Sequence, residues 1–593
     1  MLVQAVRKDH PYSQSHSRSV RQKHTVVSAV NTPSTTSTST TQPAAADIPD
    51  SPAEESEHCS DVEMDHSDPD YDPSESDLNS DSSCSDTEEL DCSQTDSVPA
   101  NAAEQRKFIV FESSLMELFI VCPKLTCLSK VISMEKSLRG SLLVVKTRCA
   151  DGCVCTWSSQ PTFSRMGAGN LLLSAAILFS GNTYRRVHDL ADHLHIPIVG
   201  ETQFFNIQKK YLFPVVNETW LSMQIAIFNG LNTVDRIVMS GDGRCDSPGH
   251  CAKYMTYTVM DEEMGYIAHF CVLSTSDPLI KNSNAMEPIG LRRCLDFLKE
   301  AGIQTAILTT DRHVTIRKIM RLEYADIIHQ FDVWHLVKSV TKKLTSLAKL
   351  KGNEALSVWI QSISNHFWWC AESCNGDVEI LREKWQSVMH HTADVHSWRN
   401  CQHFHACQHG DLTEDDRRET AWLRPGSSAH ESLQRVVQDK AVLKDLAHVT
   451  MFRHTGQLEV FHSLLLKYAP KRQHFSYAGM VCRTQLAAID HNYHLGRHQA
   501  ITRSGEQRYN IVYPKTHGHK KWVAKRIKQQ KDYAYRNDMM RDVVAMRVFG
   551  LEKFGPKLPE VKCNTAATEK PEKDEVVMRT FLHTRFSCSK QAI

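Results

Sequence analysis

From Thr25 to Gln105 the chain contains no lysine or arginine and few large apolar residues, and Ser, Thr, Asp, Glu and Pro fill most of the stretch. Such a composition cannot bury enough apolar surface to offset the entropy of ordering the chain. Residues 1–106 are therefore expected to be a disordered, acidic, Ser/Thr-rich tail. The whole chain also lacks a net charge, with 69 Lys and Arg against 69 Asp and Glu, but that balance hides two unlike parts. Through Gln105 there are 5 basic and 21 acidic side chains, a net of −16, which leaves +16 on the remainder. A body that basic is expected to bind a polyanion.

No apolar run is long enough to cross a bilayer, and Arg7, Lys8, Arg18 and Arg21 are not followed by the apolar stretch of a secretory signal. The expectation is an intracellular protein with no membrane partner. In a reducing compartment the 19 cysteines are then read as thiols or metal ligands rather than disulfides.

What is present divides the chain by hydrophobic period. Order is expected to begin near Phe108, where FIVFESSLMELFIV is the first sustained apolar pattern, and residues 107–160 read as a small Cys-rich, zinc-stapled module. Residues 161–232 carry three stretches of helical spacing, readable as a helix-turn-helix DNA-binding region or as plain helical packing. From Asp235 the period changes. RIVMSGD, KYMTYTVMD and GYIAHFCVLS read as three strands, followed by a helix, the strand TAILTTD, a second helix and the strand IIHQFDVWH. Three hairpin-connected strands followed by alternating helix and strand is the order of an RNase H-like fold.

The fold class read from this order is α/β: an RNase H-like mixed sheet over 233–352, a helical insertion over 353–450, and the last core helix within 451–500. A basic C-terminal tail occupies 501–593. Within it, KKWVAKRIKQQKDYAYR reads as a basic helix lying along DNA, or as a merely solvated one.

Metal-assisted phosphoryl transfer needs carboxylates brought together from different elements, because Mg²⁺ or Mn²⁺ prefers hard oxygen ligands and paired ions sit about 4 Å apart. Asp242 on the first strand, Asp311 at the end of the fourth and Glu459 near the start of the last helix stand in the order such a site requires. Asp246 competes for the first place, but it falls in the Pro-Gly turn after the strand. Gly241 and Gly243 are expected to let backbone approach metal or phosphate closely. Asp332 and His335 form a D-x-x-H pair at the end of the fifth strand. His335 is expected to reach a phosphate or orient a metal-bound water, supported by Asp332, unless the pair is simply a strand-terminal Asp near a core Trp.

Two further groups suggest zinc. Cys122-x4-Cys127 and Cys149-x3-Cys153, with Cys155 close behind, read as paired soft ligands of a ribbon, against the alternative of buried thiols. Cys401, Cys407, His396 and His409, within a run that also holds His403 and His405, read as a second zinc set or as a His-rich surface loop.

Taken together, GDGRCDSPG, TTDRH, HQFDVWHLVKS, SNHFWWC and HTGQLEVFHSLLLKYAPKRQHF, in this order, resemble the DDE transposases of the Kolobok superfamily, which are similar to the Mutator-like group. WSSQPTF and GNLLLSAAILFSG resemble the region upstream of their catalytic core, and the likeness spans about residues 120–500. The resemblance implies that Asp242, Asp311 and Glu459 are the catalytic metal ligands, accompanied by Asp332 and His335. It also implies a nuclear enzyme that acts as a homo-oligomer on transposon ends and target DNA. The chain departs from the family pattern in one respect: no THAP-type finger precedes residue 106. Three functions follow from this reading: a transposase using two Mg²⁺ or Mn²⁺ ions, a domesticated DNA-binding protein that no longer cleaves, and a host DNA nuclease of the same fold.

Overall fold

The computed structural model describes residues 102–248, 252–280, 282–512, 522–550 and 572–582. Residues 1–101 of the expected acidic tail, and the basic stretch up to Lys521, lie outside the described residues.

Strands β1 (Val131–Arg139), β2 (Leu142–Cys149) and β3 (Val154–Ser158) form an antiparallel meander. Only β2 turns a regular set of side chains inward, burying Leu142, Val145, Thr147 and Cys149. The apolar run expected to open the ordered core behaves otherwise. Phe108, Ile109 and Phe111 are each about 80% exposed, and Phe119 alone of that run is buried. A three-stranded sheet this small offers too little apolar surface to cover them.

The main sheet is built from β4 (Ile237–Cys245), β5 (Tyr254–Asp261), β6 (Ile267–Ser274), β7 (Thr305–Thr310) and β8 (Ile328–Phe331). Its order is β8-β7-β4-β5-β6, antiparallel across β4, β5 and β6 and parallel across β4, β7 and β8. All eight residues of β5 are buried, because helices cover both faces of the sheet, and a strand covered on both sides shows no alternation. One face packs on α4 (Met286–Glu300) and α5 (Val314–Glu323), through Met239, Tyr257, Leu291, Leu295 and Ile319. The other packs on α3 (Phe213–Leu231), α10 (Gly456–Tyr468) and α11 (Tyr477–Tyr493), through Trp220, Phe270, Phe461 and Leu486.

The helical region expected over 161–232 is present as α1 (Ala168–Phe179), α2 (Tyr184–His193) and α3, with Glu201–Ile207 and a π turn between the last two. Leu171, Leu178, Val215 and Val216 are buried in the same core as Ile267 and Phe461. Packing into the main body, rather than a separate reading head, accounts for their apolar period.

Residues 353–450 are helical, with no strand of their own among the described residues, and contribute to a second core. There α6 (Val333–Ala348), α7 (Leu356–Ser373), α8 (Val378–Gln386) and α9 (Ser428–Val437) close around Leu336, Trp359, Phe367, Trp385 and Leu433. The insertion is tied back to the sheet by Asp445, fully buried, which pairs with Arg312 and with Arg317 at 2.6 Å.

The C-terminal segment departs from expectation. Val523–Arg526 is a strand paired with Tyr509–Val512, not part of a basic helix. The helix α12 begins only at Ala534 (Ala534–Phe549), and Tyr535, Met539 and Val543 at four-residue spacing are buried against α1 and α3. The Lys-rich stretch lacks such an apolar stripe, so nothing would hold it as a packed helix.

Candidate active site

The register of the sheet sets the first carboxylates side by side. Gly241 is opposite Thr310 and Thr310 is opposite Phe331, so Asp242, Asp311 and Asp332 stand at one level on three neighbouring strands. The Asp332 amide donates to the Thr310 carbonyl at 3.0 Å, which fixes that level at the sheet edge. Neighbouring strands lie roughly 4.8 Å apart, a separation suited to shared cation binding. Glu459 enters from the first turn of α10, and its charge, with those of Asp242, Asp332 and Glu287, acts on Asp311.

These neighbours act on the protonation of Asp311. Burial first, and then the charge of Asp242, push the Asp311 carboxyl up to about 8. Asp311 Oδ1 is 3.2 Å from His335 Nε2 but makes no well-formed hydrogen bond. Asp332 differs. Its Oδ1 accepts from the Trp334 amide at 2.7 Å as the N-cap of α6, and its Oδ2 accepts from the Thr455 amide at 3.0 Å and hydroxyl at 2.7 Å. Asp332 thus positions Thr455 and the start of α6, which carries His335, and ligand atoms of Asp311, Asp332 and His335 lie within 4.8 Å of one another.

Asp246 does not compete for the site. It is 5% exposed, and its oxygens accept from the Lys253 and Tyr254 amides, each at 3.1 Å, which closes the β4–β5 hairpin. Side chains of this protein approach the two glycines closely. A Cβ on Gly241 would lie 2.5 Å from the Tyr257 hydroxyl, and one on Gly243 would lie 3.2 Å from Glu287 Cγ. They admit side chains of this protein to the back of Asp242.

Two residues that sequence reading passed over stand in this cluster. Glu287, in the first turn of α4, is pushed up to about 7 by burial and by Asp242. His462, one turn after Glu459 on α10, places Nδ1 3.4 Å from Asp242 Oδ2. The i, i+3 spacing of Glu459 and His462 was the available signal, since it sets both on one helix face.

A cavity of about 490 Å³ opens beside the carboxylates, lined by Gly243, Arg244, Glu459, His462 and Lys471 among others. Arg244 is buried and donates to the Ala469 carbonyl at 3.0 Å, while its Nη1 has no hydrogen-bond partner. Asp311 Oδ1, Tyr257 Oη and His462 Nε2 are buried without partners as well. Buried polar atoms are nearly always satisfied, so four around one cluster fit a place made for cations and an anionic ligand. The carboxylates, as hard oxygen donors, suit Mg²⁺ or Mn²⁺.

The cysteine groups divide. Cys122, Cys127, Cys149 and Cys153 bring their sulfurs within 4.8 Å of one another, as the spacing predicts, and Cys155 is not among them. Two backbone turns make this possible: Cys122 N to Ser129 O at 2.8 Å with Leu128 at positive φ, and Gly152 N to Cys149 O at 3.0 Å. Burial tends to raise the Cys149 thiol, but donation from the Cys153 amide and from Cys127 outweighs it and brings Cys149 down to about 7. The Lys124 amide lowers the Cys122 thiol, but burial and the neighbouring Cys127 and Cys149 together outweigh it and push Cys122 up to about 12. In the second group the structure gathers His396, Cys407 and His409 with His391, while Cys401 is outside.

No family model matches the chain, and no curated protein matches it. Among solved structures it is similar to the Drosophila P element transposase strand transfer complex, at 11% identity and a TM-score of 0.22, over 54% of this chain and 91% of that one. A likeness of that extent decides neither fold nor activity.

Proposed function

We propose that this chain is a DNA transposase on an RNase H-like core, cutting and joining strands at transposon ends with divalent metal ions. The observation that carries the proposal is the row Asp242, Asp311 and Asp332 at one level of β4, β7 and β8, with Glu459 facing it from α10. The sheet order β8-β7-β4-β5-β6 supports the RNase H-like reading, since it puts the first and fourth strands next to each other at the centre. In this reading Asp242, Asp311 and Glu459 hold two Mg²⁺ or Mn²⁺ ions, which when bound supply the Lewis acidity for attack on a phosphodiester.

The protein's own groups do the rest. Glu287 adds a fourth carboxylate, and His462 orients Asp242. His335 is held against Asp311 through the cap that Asp332 makes on α6. Arg244, through the Nη1 that has no partner, and Lys471 take the phosphate in the adjoining cavity. Zinc on the four N-terminal cysteines staples the exposed meander. Assembly as a homo-oligomer in the nucleus belongs to the same proposal, and the exposed apolar run around Phe108 to Phe111 supports it as an association surface.

The test is strand cleavage and strand transfer on DNA that carries the flanking repeats of the gene's own locus, with Mg²⁺ or Mn²⁺ and with chelator. Asp311→Asn is expected to abolish both steps and to leave DNA affinity within about twofold, because phosphate contacts rather than this carboxylate supply affinity. A wild-type protein that binds these ends and never cuts them would sink the proposal in favour of a non-cleaving DNA-binding protein. Cleavage without preference for the repeats would favour a nuclease.

A further inference from the structure

We propose that His391, His396, Cys407 and His409 form a second structural zinc centre, with one sulfur and three nitrogen ligands, that closes the outer hairpin of the insertion. It does not depend on the transposase reading. Their ligand atoms lie within 4.8 Å of one another. A tetrahedral zinc with bonds of roughly 2.0–2.1 Å to nitrogen and 2.3 Å to sulfur sets its ligands about 3.3–3.6 Å apart. The observed pairs are His396 Nδ1 to His409 Nε2 at 3.1 Å and His391 Nδ1 to Cys407 Sγ at 3.5 Å.

Hydrogen bonding at the far side of each ring decides which nitrogens face inward as lone pairs. His409 Nδ1 is 2.7 Å from the Gly410 carbonyl, which can only accept, so the proton is there and Nε2 is bare. His396 Nε2 is 3.0 Å from Asp394 Oδ1, which draws the other proton and leaves Nδ1 bare. Two bare imidazole nitrogens then face each other at 3.1 Å, which is repulsive unless a cation lies between them. The Asp394 carboxylate is itself held by Arg417 at 3.1 and 3.2 Å, the carboxylate-to-histidine support that metal-binding imidazoles usually have.

The surrounding chain is shaped for this. His396 and Cys407 face each other across a two-stranded clasp, with Cys407 N to His396 O at 2.9 Å and Trp398 N to His405 O at 2.8 Å. His391 arrives from the helical turn Val388–His391, and Trp422 stands against His391 and His396 with ring centres 5.9 and 5.6 Å away. The tip of the hairpin is held by Phe404 on Trp398 and Trp369, but every side chain from 405 to 411 is exposed or half-buried, so the arm that carries Cys407 and His409 has little apolar packing. Cys401 falls in the loop at its tip and takes no part.

The test measures zinc in the full-length protein after dialysis against a weak chelator. Two equivalents per chain are expected for wild type, and one for Cys407→Ser or His409→Ala, with Cys401→Ser keeping both. Zinc-edge X-ray absorption on the wild type needs no variant: five sulfur and three nitrogen ligands over two ions are expected from the two groups. Cobalt exchanged into a Cys149→Ser protein should give the spectrum of a site with one thiolate, absent from Cys149→Ser/Cys407→Ser. An all-sulfur absorption edge with one equivalent of zinc, or loss of the second zinc on Cys401→Ser, would overturn the assignment.

Discussion

Metal affinity at the carboxylate cluster should depend steeply on pH, and the size of the effect follows from its geometry. Asp311, pushed to about 8, and Glu287, at about 7, hold protons that a divalent cation must displace. The two steps belong to the cluster rather than to either residue. Cations bind the deprotonated form, so affinity rises with pH and levels off above the upper step. For one displaced proton with a pKa of 8, the apparent dissociation constant should weaken about 50-fold from pH 8 to pH 6, near 2.3 kcal/mol. If the Glu287 proton leaves as well, the ratio grows to about 500.

Titration with Mn²⁺ followed by electron paramagnetic resonance gives the affinity. Calorimetry in buffers of different ionisation enthalpy counts the protons released. Glu287→Gln separates the cases, because it should remove the steeper part of the curve and, by taking its charge off Asp311, leave a change of 50-fold or less. A dissociation constant that moved less than threefold between pH 6 and pH 8 would refute the reasoning, since the carboxylates would then not share one field.

In chelator, Asp311→Asn should stabilise the protein at pH 8 by about 1–3 kcal/mol, discounted for the third of its side chain that faces solvent. The sign follows from the raised pKa: the folded state holds this proton more tightly than the unfolded one, so wild-type stability falls as pH rises from about 4 to 8, and the amide removes that fall in a thermal melt. Asp490 should behave oppositely, because the Tyr468 hydroxyl and the Lys467 and Lys531 ammonium groups outweigh burial and bring it down to about 2. Its contribution, about 2 kcal/mol, is present above pH 4 and lost as pH falls through 2. Asp490→Asn should cost about 3–5 kcal/mol by leaving those cations unpaired, read by urea unfolding at pH 7. Replacing Cys122 and Cys149 together by Ser should release one equivalent of zinc and expose the meander to proteolysis, and unchanged metal content would count against that site. Met539→Ala, at a position 1% exposed, should cost about 2–5 kcal/mol and show in the same unfolding assay that α12 is core, not a detachable DNA arm.

The sheet was legible because its strands are short apolar runs ended by turn residues, and because Ile237, Val238 and Met239 lead straight to Asp242. Three of the carboxylates could be ordered along the chain for the same reason. Glu287 could not, since an acid in the first turn of a helix is what the helix dipole favours anyway, and its meaning arises only where Gly243 lets it meet Asp242. His462 sits among apolar residues and reads as a core histidine. His391 escaped notice because it lies outside the Cys/His run, in a helical turn that bends back to it. Charge density carries no period, so the Lys-rich stretch does not specify a packed helix, whereas Tyr535, Met539 and Val543 recur at helical spacing.

The long gap before Glu459 raises the question of how the last carboxylate reaches the others at all. The insertion does not end loosely. Its last turns bring Asp445 under Arg312 and Arg317, directly after Asp311 on the chain and in α5. His448 then contacts the His329 carbonyl at 2.9 Å, the Met451 amide donates to Gln330 at 3.1 Å, and the Arg453 carbonyl accepts from Val333 at 3.1 Å. Thr455 finally closes on Asp332, and α10 starts one residue later. The return path is thus sewn residue by residue along β8, and each stitch fixes the entry of Glu459 more tightly. Asp332 ends β8, caps α6 and anchors the residue before α10. A single carboxylate therefore links the start of α6, which carries His335, to the residue before α10, which carries Glu459.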